Sequence, residues 1–324
     1  MGPSSAAPSL ACWAIYRIVS RGRLRTEKPH LPDTSTCSDE PHSHLARADR
    51  RRPPTGQHGR VQKDEALNLL RVEAERILSI LRRPEVDLAT SLPACPGWTL
   101  EDLGDHLGKV YAMVAAAIQL GTTSDSRPPR EALSARQPGT GVVEWLSARL
   151  AELLTVFDQV ADGHRCWNFL GGAGSDVAFW WRRQAHETLI HRADAELALI
   201  AKGEHALGGP VPPAAIVATD GVSEFLELSG YQPVSWEDLR LGEAMTIHLH
   251  ATDAEKAEWT IDTEEKAYAP AHLKADVAVR GPAWAIDLWL WRRGSIAGAG
   301  VMDLSSRLEG FGDWPAAEQW RPSR

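Results

Sequence analysis

From Asp64 onward the chain is organised by a helical period. In DEALNLLRVEAERILSILRR, residues Leu67, Leu70, Ala74, Ile77, Leu78 and Leu81 fall on one stripe, which predicts an amphipathic helix that Pro84 stops. After the CPGWT turn, Thr99 is a good N-cap with Asp102 three positions on. Leu100, Leu103, Leu107 and Val110 then continue a second helix. Pro128, Pro129 and the QPGTG segment mark an exposed loop. Val142, Val143, Leu146, Leu150, Leu153, Leu154 and Phe157 outline a third helix, and a fourth is expected from about Asp176 through Leu199. Four long amphipathic helices in succession predict a bundle, a scaffold that builds metal sites from facing helices.

The pattern changes after Gly203. GGPVPP reads as a linker, and AAIVATDGVSEFLELSG as one more helix. The stretches EAMTIHLHATD, EKAEWTID and HLKADVAVRG alternate apolar and polar residues, as strands do. AWAIDLWLWRR returns to a helical period, and DLSSRLEGF closes the chain. The expectation is an α+β protein: a bundle over 64–203 and a small α+β domain of three strands and two helices over 204–324. Residues 1–63 are rich in Pro, Ser, His and Arg and lack an apolar period, so they are expected to form a disordered basic extension. The apolar stretch ACWAIYRIV is short, is cut by Arg17, and is followed rather than preceded by basic residues, unlike a secretory signal.

Composition narrows the partners. The chain has 324 residues, 43% of them hydrophobic, enough for two domains, with no apolar run long enough to span a bilayer. The formal charge is −8, yet residues 1–63 hold eleven Lys/Arg against five Asp/Glu, leaving −14 on the rest. An acidic body argues against nucleic acid as its partner, and the lack of a bilayer-length apolar run against a membrane. Cys12, Cys37, Cys95 and Cys166 are widely separated and read as reduced thiols of a cytoplasmic protein. Thirteen Trp against five Phe and four Tyr is an unusual bias, mostly assignable to core.

Candidate chemistry centres on WRRQAHETLIHRADAEL. Glu187 and His191 are four residues apart, so they share a helix face and can grip one divalent metal. The same spacing also suits a salt-bridged pair on a solvated face. His186 and His191 point about 140° apart around the helix and do not comfortably share one ion. A third candidate ligand is His106, in CPGWTLEDLGDHLGKVYAMV. Three N/O ligands with one open position describe a catalytic rather than a structural zinc site.

CPGWTLEDLGDHLGKV, then FWWRRQAHETLIHRADAELA, and later ATDGVSEFLEL, HLHATD, EWTI and VRGPAWAIDLWLWRR together resemble the mycothiol-dependent maleylpyruvate isomerase family. The resemblance covers nearly all of residues 64–310 and implies a DinB-like four-helix bundle joined to a small C-terminal α/β domain. It implies that His106, Glu187 and His191 hold a divalent metal, zinc first among them, with mycothiol as cofactor. The implied chemistry is addition of a metal-stabilised thiolate to a cis double bond, rotation about the resulting single bond, and elimination to the trans isomer. A thiol S-transferase would use the same activated sulfur. Arg293, ending the LWLWRR helix, resembles the family's W-x-R ending and is the candidate catalytic residue, binding a substrate carboxylate. A helix C-terminal cation is the alternative there, and Arg292 departs from the small residue of that pattern. Asp194, Arg182 and Arg183 are candidates to orient the ligands, whereas Cys95 and Cys166 read as structural. Expected partners are a small-molecule thiol and an electrophilic or dicarboxylate substrate, with the chain a monomer or homodimer. A metal-dependent hydrolase and a non-catalytic regulatory module on the same fold are the other readings.

Overall fold

The computed structural model describes residues 60–121, 128, 135–170, 175–203, 209–229, 245–265, 267–296 and 302–312. The disordered extension expected over 1–63 lies outside them up to residue 59, but its end is ordered, with Val61 buried and Lys63 opening the first helix. Most of the Pro128–Pro129 loop also lies outside. Helix α1 spans Lys63–Leu81, α2 Leu100–Leu120, α3 Val142–Gln159 and α4 Val177–Ala201. Thr99 caps α2 as its sequence suggests. Its hydroxyl accepts from the Asp102 amide while the Asp102 carboxylate accepts from the Thr99 amide. Asp176 caps α4, accepting from the Ala178 amide.

Within the bundle α1 lies along α4 and α2 along α3. Gly104 and Gly108 on α2 make the second approach possible. A Cβ at Gly108 would fall 2.0 Å from the Trp145 indole nitrogen, and one at Gly104 would fall 2.4 Å from Val142. The core between the helices gathers Leu70, Ile77, Leu103, Leu107, Tyr111, Phe157 and Trp180, all fully buried.

Helix α4 departs from its expected amphipathic form. Nearly every residue from Arg182 to Leu199 is buried, because α4 serves two cores. Trp180, Ala195 and Leu199 face the bundle. Leu189, Ile190 and Ala193 join Phe225, Trp259, Trp284 and Trp289 of the C-terminal half. That half is built from α5 (Ala215–Ser229), β1 (Thr246–Ala251), β2 (Glu258–Asp262), β3 (Ala267–Ala269), β4 (Val277–Gly281), α6 (Ala283–Leu290) and β5 (Glu309–Phe311). The sheet order is β3-β2-β1-β4-β5, with β1 and β4 parallel and every other pair antiparallel. Sequence patterning gives three of these five strands; β3 and β5 are three residues long, too short for alternation to register. Ile247, Leu249, Trp259, Ile261, Val277 and Val279 turn one sheet face toward α5 and α6, and that face is the second core.

Among the described residues no helix is long and apolar enough to cross a membrane.

Candidate metal centre

Helix phase brings Glu187 and His191 to one face of α4, and α2 crosses opposite them with His106. The structure gathers all three: His106 Nε2 lies 3.1 Å and His191 Nε2 3.3 Å from the same atom, Glu187 Oε1. The two imidazole centroids are 4.9 Å apart, and each of the three side chains is buried. His186 sits away from this point, with Nε2 2.8 Å from Asp220 of α5. The phase argument separating His186 from His191 therefore describes the helix as it stands.

Each ligand candidate is held by a second contact. His191 Nδ1–H donates to Asp194 at 2.9 Å, so a neutral ring presents its lone-pair nitrogen, Nε2, toward Glu187. A proton on Nε2 or a cation between the two atoms relieves that lone-pair contact, and two imidazole nitrogens with one carboxylate oxygen at one point are a donor set that fits a divalent metal. The other oxygen of Glu187 accepts from Arg183, which also bonds Glu224 of α5. Trp98, from the CPGWT turn, packs its ring 4.8 Å from His106 and 6.3 Å from His191, walling one side.

Electrostatics follow from these contacts. Burial works against the Glu187 carboxylate, but the Arg183 guanidinium and both histidines outweigh it and hold the group well below the usual range. Burial pushes His106 below the ordinary imidazole value, with its bond to Glu187 opposing. His191 is also disfavoured as a cation by burial, but Asp194 and Glu187 prevail and raise it. Asp194 is held low because Arg293 and His191 overcome its burial.

Arg293 is placed otherwise than a free substrate-binding cation would be. It is 2% exposed and donates to both Asp194 oxygens, from Nε at 2.9 Å and from Nη2 at 2.7 Å, with Nη1 on the Trp291 carbonyl. The end of α6 aims it there. Arg292 adopts a left-handed φ of 64°, and the Arg293 amide bonds back to the Leu288 carbonyl at 2.7 Å and that of Arg292 to Trp289 at 3.0 Å. The residue departing from a small one thus occupies the position where glycine fits best. Trp291 beside it lies against Arg183, 5.2 Å from ring centroid to guanidinium carbon. The Trp-Arg-Arg ending of α6 therefore backs both Arg183, which holds Glu187, and Asp194, which holds His191.

Two cysteine expectations separate. Cys166 is free and buried, and burial pushes its thiol up to about 12, far from a reactive thiolate. Cys95 is disulfide-bonded, contrary to the reading of four reduced thiols. A disulfide sulfur is not a thiolate donor, which removes Cys95 as a ligand beside His191 and Asp194. Sequence reasoning did not single out Trp98, Glu224 or the Trp291–Arg183 contact. Only the adjacency of Trp98 to the α2 cap hinted at the first.

Comparison with known proteins follows the same division of the chain. The family model described as the Mycothiol maleylpyruvate isomerase N-terminal domain matches residues 70–196, and that of the MDMPI C-terminal domain matches residues 217–319. The crystal structure of the mycothiol-dependent maleylpyruvate isomerase is similar at 16% identity and a TM-score of 0.46, covering 70% of this chain and 88% of that one. The crystal structure of a point mutant of that enzyme gives 16% identity and a TM-score of 0.48, covering 81% and 95%. No curated protein matches the chain. By the two domain matches, the chain belongs to the mycothiol-dependent maleylpyruvate isomerase family of enzymes.

Proposed function

We propose that the protein is a zinc-dependent enzyme that uses mycothiol to isomerise a small cis-unsaturated dicarboxylate, of which maleylpyruvate is the example set by the family. The observation that carries this reading is the convergence of two imidazole Nε2 atoms and one carboxylate oxygen at a single buried point. His106, Glu187 and His191 would hold the ion. When bound, a divalent ion with three protein ligands supplies an open position at which a thiol is stabilised as thiolate at neutral pH.

The rest of the work belongs to the chain's own residues. Asp194 keeps the His191 proton on Nδ1, which keeps Nε2 available as a donor. Arg183 fixes the outward oxygen of Glu187 and balances its charge, so the inner oxygen stays anionic and aimed at the ligand point. Arg293 keeps Asp194 ionised, and we assign it this positioning role in place of direct contact with a substrate carboxylate. Trp98 lies against both histidine rings and walls one side of the ligand point. Transfer of the same thiol to an electrophile needs no different residue, so a thiol S-transferase is the second reading within this chemistry.

The test is thiol dependence. Metal-loaded protein is assayed for cis-to-trans conversion of maleylpyruvate with no thiol, with glutathione and with mycothiol. Turnover that requires mycothiol is expected. Thiol-independent hydrolysis of an ester or amide would instead make the open position a water-activating one. Binding of neither thiol by calorimetry would leave a non-catalytic module.

A further inference from the structure

We propose that the solvent-facing side of the C-terminal sheet carries a second metal site of zinc type, made by His248, His250, Glu258 and His272. Strand register assembles it. His250 and Glu258 are directly opposite in the β1–β2 pair, and His248 lies two residues back on the same face. The opposite face is the apolar one that packs on α5 and α6, so this cluster is built from residues the core does not use. His272 arrives from the chain after β3. The Thr260 hydroxyl donates to the Ala271 carbonyl at 2.9 Å and accepts from the Leu273 amide at 3.2 Å, which pins that segment over the strand.

The geometry is that of a nearly closed ligand set. His248 Nε2 is 2.9 Å from Glu258 Oε2, His250 Nδ1 is 3.4 Å from Oε1, and His272 Nδ1 also bonds Oε2. All the donor atoms lie within 4.8 Å of one another. In a tetrahedral site with bonds of about 2.0–2.1 Å, neighbouring donors are roughly 3.4 Å apart, so only small rotations separate this cluster from such a shell. Three imidazoles converge on one carboxylate. Charging all three would leave two uncompensated positive charges, with the His248 and His272 rings only 4.4 Å apart. Neutral rings in the tautomers that turn a lone pair inward offer three nitrogens and one carboxylate to a divalent ion. Nitrogen-rich, borderline donors select zinc over magnesium or calcium. Four protein ligands leave no open position, so the ion would clasp β1, β2 and the 271–273 segment rather than carry out a reaction.

The proposal uses no residue of α2 or α4, and its test separates it from the first centre. Untagged full-length protein is stripped with a chelator, reloaded with excess Zn²⁺, desalted and analysed for zinc. The wild type, His191→Ala and the double variant His250→Ala with His272→Ala are compared. The last two positions are 34% and 70% exposed, so their truncation spares the core. Two equivalents in the wild type and one in each variant are expected. A double variant with the wild-type zinc content overturns the second site. Zinc lost in the double variant but fully kept in His191→Ala supports the second site and overturns the first. As a second readout, zinc should raise the melting temperature of His191→Ala by about 4 °C or more and leave a His191→Ala, His250→Ala, His272→Ala variant unmoved. An equal rise in both would overturn the proposal.

Discussion

Arg293 and Asp194 are 99 positions apart in sequence, yet the pair is fully buried and doubly hydrogen-bonded. A guanidinium can satisfy both carboxylate oxygens at once; an ammonium on a flexible stem cannot. Arg293→Lys is therefore expected to destabilise the protein by about 1–3 kcal/mol and to loosen metal retention, as read by thermal melting and zinc content. An unchanged melting temperature with a KM for the dicarboxylate raised several-fold would instead place Arg293 against substrate. Residue-level chemistry was legible in part. Helix phase and family resemblance together point to His106, Glu187 and His191, and the structure brings these three to one point. Of what holds them, Asp194 and Arg183 were legible as neighbours on the same helix, whereas Arg182 turns to Asp220 and Glu227. Trp98, Glu224 and the Arg293–Asp194 contact were not legible, because tertiary contacts leave no periodic trace in sequence.

Among the elements, α4 carries the unusual feature of this fold. Several of its buried charged side chains are paired, most of them across helix seams. Arg192 bonds Glu73 of α1 at 2.7 Å and Glu196 at 2.5 Å, and Arg182 bonds Asp220 and Glu227 of α5. A helix embedded on all sides shows no hydrophobic stripe, which is why its length and N-cap could be read while its amphipathic character was misjudged. The α4–α5 seam gives a pH test. Burial raises the Asp220 carboxyl, but the His186 bond and Arg182 prevail and hold it at about 2 against an ordinary 3.8. A lowered folded-state pKa contributes stability that is present above the unfolded value and lost as pH falls through the folded one. The contribution, about 2 kcal/mol, is complete above pH ~4 and disappears toward pH ~2. Urea unfolding of Asp220→Asn should show a deficit of that order at pH 7 that narrows over this window. A deficit unchanged from pH 7 down to the acid limit would mean that Asp220 acts by shape and not by charge.

At the scale of the whole molecule, two cores share one helix, and the shared helix carries two of the three ligand candidates. The C-terminal half is thereby tied to the bundle's chemistry. Glu224 and Trp291 meet Arg183, and Arg293 meets Asp194, so both halves determine where Glu187 and His191 point. Sequence periodicity located most helices and the longer strands because each repeats its pattern over several residues. It could not show that the halves meet at the ligand point, since that depends on the packing of α5 and α6 against α4. The central claim is that a metal at His106, Glu187 and His191 takes a thiolate in its open position. The most direct measurement is the near-ultraviolet absorption of Co²⁺-loaded protein titrated with mycothiol. A sulfur-to-metal charge-transfer band should grow to saturation in the wild type and in His186→Ala, and be absent in His191→Ala. A band of equal strength in His191→Ala, or none in the wild type, would contradict the account.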